Sequence, residues 1–160
     1  MKKLFLFFVL VVNLGKAEAQ VIQEGFFSVK FHTITWTKIY SGSIDLERLK
    51  NNPQLKFSEG DKGVIKKSKP IALSKKALKE ISANFFIVQK EGWYKVDVVF
   101  IDEIPVLKDN SEKVLTNDSK IPIEKACLTR NGEFNDFFFK HISKPYDKLF
   151  SSFFDPEIEQ

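Results

Sequence analysis

The chain has 160 residues, 43% of them hydrophobic, 14% aromatic and 29% charged, with a formal net charge of +4. That length suits one domain, and the composition excludes a disordered chain, a collagen repeat and, with one Cys, a disulfide scaffold. Two His leave little for a His-based metal site, so no metal or other cofactor is expected.

Met1-Lys2-Lys3 is a short basic start. Leu4 to Val12 are nine uninterrupted apolar residues, and Ala17-Glu18-Ala19 is an A-x-A sequence before Gln20. This order is that of a secretory signal peptide over 1–19, cleaved after Ala19. The run is shorter than the about 20 apolar residues of a spanning helix. The competing reading is an N-terminal anchor. No later apolar run exceeds the four residues of Val98 to Ile101, so the processed chain is not expected to span a membrane. Its expected location is periplasmic or extracellular. Residues 20–160 are then a single domain of 141 residues with 22 basic and 20 acidic side chains, a net charge of +2.

Phe27, Val29 and Phe31 alternate with Ser28, Lys30 and His32, which is period two. The phase then slips, and Ile34, Trp36 and Tyr40 continue it. The pattern predicts a long strand over 27–40 with a bulge or break near His32–Thr33. Ser43 is placed to cap a short helical turn carrying Ile44 and Leu49, which Pro53 stops. Leu55-Lys56-Phe57 and Val64-Ile65-Lys66 flank a Gly-rich turn, a hairpin signal. Ser74 is placed to cap a helical turn with Ala77, Leu78 and Ile81. Phe85-Phe86-Ile87-Val88 is a continuous apolar strand, Glu91-Gly92 a tight turn, and Trp93 to Ile101 a strand with Tyr94, Val96, Val98 and Phe100 on one face. Pro105 ends it, Lys108 to Lys120 reads as loop, and Pro122 opens a short helix ending near Gly132. Phe134, Phe138, Ile142, Tyr146, Leu149 and Phe153 recur at steps of four, four, four, three and four. Phe137, Phe139, Phe150 and Phe154 widen that stripe. It predicts an amphipathic helix that Pro145 kinks or divides.

Hairpins followed by helix, without βαβ alternation, predict an α+β fold. Its simplest form is a single antiparallel sheet with helices on one face and the Phe-rich C-terminal helix covering the core. Ile34-Thr35-Trp36-Thr37-Lys38-Ile39-Tyr40 resembles the I-x-W-x-K-V-Y opening of small exported bacterial proteins of unknown function. The stretch from Phe86 to Val98 is similar to their F-x-V-x-x-K-D-G-R-Y-R-V-x-V strand pair, and Asn131-Gly132-Glu133-Phe134 to their C-terminal segment. The resemblance implies a TATA-binding-protein-like fold, a curved antiparallel sheet with two helices. The chain departs from it in the short helix after the first strand, in a lysine-rich stretch at about 62–82 that reads as an insertion, and in Trp93 where the family has Arg. The family has no established catalytic residues, so none carries over.

Cys127 reads as a small buried hydrophobe, because a catalytic thiol needs a neighbouring His and neither His32 nor His141 is linked to it by spacing. The remaining possibility is an intermolecular disulfide. Asp97 and Glu103 are six apart and share a face of a regular strand, which makes them the carboxylate pair to weigh for acid–base work against solvated sheet carboxylates. The sequence carries no H-E-x-x-H, G-x-S-x-G, P-loop or paired C-x-x-C.

Residues 62–79 hold seven lysines. Six of them, Lys66, Lys67, Lys69, Lys75, Lys76 and Lys79, are the candidate contacts for an anionic surface. The competing reading is a solvated edge that discourages edge-to-edge pairing. With 23 Lys against two Arg, and export expected, nucleic acid is not an expected partner. A foldable chain without a catalytic constellation points to an exported, non-catalytic binding or interaction domain. Its partner is then an unknown protein or an envelope glycan or lipid. The alternative is an envelope hydrolase-like enzyme using carboxylates such as Asp97.

Overall fold

The structure, a computed structural model, describes residues 21–66, 71–74, 77–108, 114–116 and 120–155. Strands β1 (Ile22–Glu24) and β2 (Phe27–Lys30) form a hairpin through Gly25-Phe26. Gly25 takes φ +56 there, which suits a residue without Cβ. Strand β3 (Thr33–Ser41) pairs back on β2, with Phe27 opposite Trp36 and Lys30 opposite Thr33. The phase slip at His32–Thr33 is therefore a chain reversal, not a bulge in one long strand. A two-residue turn matches the twist of the strands when both central residues have positive φ. Phe31 and His32 do, at 50° and 58°. Neither is Gly or Asn, and each carries about 1–2 kcal/mol of strain for it.

Helix α1 (Leu46–Lys50) follows. Its cap is Asp45, two residues after the expected Ser43, with the carboxylate accepting from the Arg48 N–H at 2.9 Å. Strands β4 (Leu55–Phe57) and β5 (Lys62–Ile65) form the expected hairpin. Strand β6 (Ile71–Ser74) pairs with the start of β7 (Ala77–Lys90). Residues 77–81 are thus strand rather than the helical turn expected after Ser74. Pairing along the whole of β7 outweighs a weak local helical spacing.

Strand β7 turns at Glu91-Gly92 into β8 (Trp93–Lys108), 16 residues long. Pro105 does not end β8, which stays paired with β7 to Val106. On its other side β8 meets β10 (Ile121–Pro122) opposite 102–103 and β9 (Val114–Thr116) opposite 106–108. Pro105 falls in the interval between them, where a residue without an N–H is tolerated. The expected loop from Lys108 to Lys120 therefore contains β9. Its remainder, 109–113 and 117–119, lies outside the described residues. Helix α2 (Glu124–Cys127) starts after Pro122 and stops well before Gly132, which takes φ +80 in the following turn.

The main path of the sheet runs β1-β2-β3-β8-β7-β5-β4, all antiparallel, with β6 beside β7 and β9 and β10 beside β8. The fold is α+β: one curved open sheet with its helices on one face. The final helix opens at Asn135, whose side chain accepts from the Phe138 N–H at 3.1 Å and donates to the Ala126 carbonyl at 2.8 Å. A wide π turn (Phe138–Ile142) leads into α3 (Ser143–Phe154). The division expected at Pro145 is this turn, which leaves the proline in the first turn of α3, where a missing N–H costs least. Phe138, Ile142, Tyr146, Phe150, Phe153 and Phe154 are buried, whereas Phe137 and Phe139 point outward instead of widening the stripe. Ring pairs join helix to sheet: Phe27 to Phe138 at 5.2 Å, Trp36 to Phe150 at 5.4 Å and Phe85 to Phe154 at 5.3 Å. Such pairs contribute about 0.5–1.5 kcal/mol each beyond the area they bury.

Candidate functional site

In β8, Tyr94, Val96 and Val98 face the helices, and by simple alternation Phe100 would follow. Phe100 instead takes φ 50 and is exposed. It is the extra residue of a β-bulge, opposite the register shift between Ser82 and Asn84 of β7. Beyond it Ile101 and Glu103 become the buried positions. Asp97 and Glu103 therefore do not share a face. Asp97 lies on the open face, where it accepts from the Thr37 hydroxyl at 2.7 Å and pairs with Lys95 at 2.7 Å. Glu103 is buried under the last helix and accepts from the Tyr146 hydroxyl at 2.7 Å. Burial, then the Glu103 carboxylate, raises the Tyr146 pKa. The carboxylate pair suggested by sequence spacing is thus divided between the two sides of the sheet.

A second polar cluster joins β3 to the end of α3. The Lys38 ammonium donates to Ser151 Oγ at 2.9 Å, lies 4.0 Å from the Asp155 carboxylate, and sits over the rings of Phe26 and Tyr40 at 5.1 and 5.2 Å. Arg48 donates to the Asp155 carbonyl at 3.0 Å, and the Trp36 indole N–H to Asp147 at 3.0 Å. Tyr40 and Tyr94 stack at 4.9 Å, and the Tyr94 hydroxyl donates to the Phe154 carbonyl at 2.8 Å. Burial pushes the Tyr94 hydroxyl up to about 12 and also raises that of Tyr40. A serine–lysine nucleophile pair needs a reachable serine. Ser151 is buried within a helix. The cluster clasps the helix to the sheet.

Cys127 is fully buried, as its reading as a small hydrophobe requires. The His32 ring lies against Gly132, and His141 tilts against Phe137 at 4.9 Å. Of the lysine set, Lys66 follows β5 with an exposed side chain, its N–H donating to the Gln54 carbonyl at 2.7 Å. Lys79 lies on β7 opposite Ile71 of β6 and Pro105 of β8. Lys67, Lys69, Lys75 and Lys76 lie outside the described residues, as do residues 1–20. Among the described residues no helix is long and apolar enough to cross a membrane.

What sequence reasoning passed over is the open face of the sheet. Cross-strand rows there read Ile39–Lys95–Val88 and Thr37–Asp97–Phe86. Ile39 is 64% exposed, Val88 42% and Phe86 36%. At the β1–β2 end of this face a groove of about 450 Å³ is lined by Val21, Gln23, Phe26, Ser28, Thr37 and Ile39, among others. Its size is that of a small-ligand or peptide side-chain site. The signal was present in Phe85-Phe86-Ile87-Val88: a strand apolar at every position has an apolar residue on both faces, and the described helices cover only one.

No family model, curated protein or solved structure matches the chain.

Proposed function

We propose that the mature chain is an exported, non-catalytic binding domain whose ligand, a protein or an envelope glycan or lipid, sits on the open face of the sheet. The carrying observation is the contrast between the two faces. One is sealed by aromatic helices, and the other leaves Ile39, Phe86 and Val88 in solvent beside a groove. Export rests on the leader pattern of residues 1–19. The likeness to small exported bacterial proteins with a TATA-binding-protein-like fold supports the same reading. Lys66, Lys67, Lys69, Lys75, Lys76 and Lys79 would add long-range attraction to anionic surfaces. Of the Asp97–Glu103 pair the hydrolase alternative retains only Asp97 on the open face, already paired with Lys95 and Thr37.

The test places a charge on the open face. Ile39→Lys with Phe86→Lys should leave the melting temperature close to wild type, since both side chains are solvent-facing, and should abolish retention of the partner captured from native envelope. Unchanged capture would remove the open face as the binding surface. Hydrolysis of chromogenic esters or glycosides by wild type, lost in Asp97→Asn, would establish the enzyme instead.

A further inference from the structure

The turn Phe31-His32 is held in an unfavourable backbone conformation by residues that sterics disfavour there. Two contacts fix it. The His32 ring packs so closely on Gly132 that a Cβ at that position would lie 3.1 Å from the imidazole. The Ile34 N–H just beyond donates to the Glu124 carboxylate at 2.9 Å. The result is that Phe31 projects from a rigid tip at 76% exposure, the highest of any large apolar side chain among the described residues. The Lys30 ammonium lies 5.5 Å from the Phe31 ring centre. Two residues before Gly132, Arg130 is exposed. The same segment continues into Phe134, whose ring meets Phe139 at 6.3 Å. Phe139 and Phe137 are 47% and 37% exposed, and Lys140 and Lys144 stand on the same helical stretch. The acidic neighbours are Glu124, Glu133 and Asp136, and Asp136 is paired with Lys140 at 3.3 Å.

We propose that this end of the molecule docks on an anionic lipid bilayer. Phe31 enters the boundary between headgroups and acyl chains, and Lys30 and Arg130 meet the lipid phosphates. An aromatic tip with a cation over its ring satisfies both depths of a bilayer surface at once: ring in the acyl boundary, ammonium at headgroup level. Lys30, Arg130, Lys140 and Lys144 outnumber Glu124, Glu133 and Asp136 by one, and the cation nearest the exposed ring, Lys30, is the one that an anionic surface would meet first. This contact centres on the turn between β2 and β3 and borders the open sheet face at Lys30; Phe31→Gly leaves Ile39 and Phe86 in place, so its failure and that of the ligand site are read separately.

The experiment is cosedimentation of the mature chain with vesicles of phosphatidylglycerol and phosphatidylcholine in equal parts, against pure phosphatidylcholine, at low and high salt. Wild type should bind the anionic vesicles only, and salt should weaken the binding. Phe31→Gly should lose about tenfold or more in partitioning, the scale of burying one Phe, while keeping or raising the melting temperature, because glycine relieves the positive φ. Phe31→Trp should retain binding and shift its emission to the blue on anionic vesicles. Lys30→Gln should weaken binding and flatten its salt dependence. The proposal is overturned if wild type does not bind, if it binds pure phosphatidylcholine equally, or if Phe31→Gly binds as wild type. The last result, combined with loss in a Lys66→Gln, Lys67→Gln, Lys75→Gln, Lys76→Gln variant, would transfer the contact to the lysine segment.

Discussion

Phe138 and Phe139 are adjacent in the π turn, and cutting each to Ala tests which way the turn faces. Phe138 is fully buried, edge-on to Phe27 at 5.2 Å and stacked on Phe134 at 4.0 Å. Removing a buried phenyl ring costs about 3–5 kcal/mol, part lost transfer energy and part cavity. Three ring contacts disappear with it, those to Phe27, Phe134 and Phe139, so the upper half of that range is expected. Phe139 is 47% exposed and loses little burial. Its truncation should stay within about 1 kcal/mol. Against a typical total of about 5–15 kcal/mol, Phe138→Ala should remove a large fraction of the stability. At about 3–5 °C per kcal/mol for a domain of this size, the melting temperature should fall by at least about 10 °C. Urea unfolding followed by the emission of Trp36, buried against Phe150 in the same core, reads the difference. Equal midpoints for the two variants would refute the register of the helix on the sheet.

Gly63→Ala should be strongly destabilising, about 2–3 kcal/mol by urea midpoint, because a Cβ there would meet the Phe85 ring and the Lys56 carbonyl at impossible range. A wild-type midpoint would show that β4 and β5 sit differently on β7. Phe100→Gly should stabilise by up to about 1 kcal/mol, since the bulge needs the positive φ and not the ring; a loss of stability would assign the exposed ring a packing role. Alkaline titration should show stability falling from pH 10 upward. The Tyr94 hydroxyl has its folded pKa raised from 10.0 to about 12, so its contribution is complete below 10 and is lost as pH rises toward 12. Tyr94→Phe should reduce that slope, and an unchanged pH profile would contradict the burial of the hydroxyl. Intact mass of protein recovered from the envelope should show a chain starting at Gln20, and retention of residues 1–19 would make the segment an anchor.

The sheet was legible where side chains obey their own parity. Phe27 and Val29, and Tyr94, Val96 and Val98, are inward as alternation predicts, and Glu91-Gly92 turns as its glycine demands. It was illegible where the backbone does something its residues do not advertise. Phe31-His32 reverses the chain without Gly or Asn, and Phe100 bulges without Gly, so the phase slip at 32 was visible but its cause was not, and the slip at 100 was invisible. Residues 77–81 and 114–116 become strand only because β8 is long enough to pair with them, a non-local fact. The open face fared worst. The run from Phe85 to Val88 announces two apolar faces, but which of them stays bare depends on the side where a helix sixty residues later comes to rest.

The main path of the open sheet also has two ends, and among the described residues both are short. The main path terminates in β1 and β4, three residues each. A strand arriving from another molecule finds at either end only a few free backbone groups to copy. Templated growth is therefore starved of length at its first step, although the sheet behind those ends contains strands of 14 and 16 residues with apolar side chains in solvent. Lengthening β1 or β4 by a few β-forming residues would lift that restraint, turning the folded sheet into a seed.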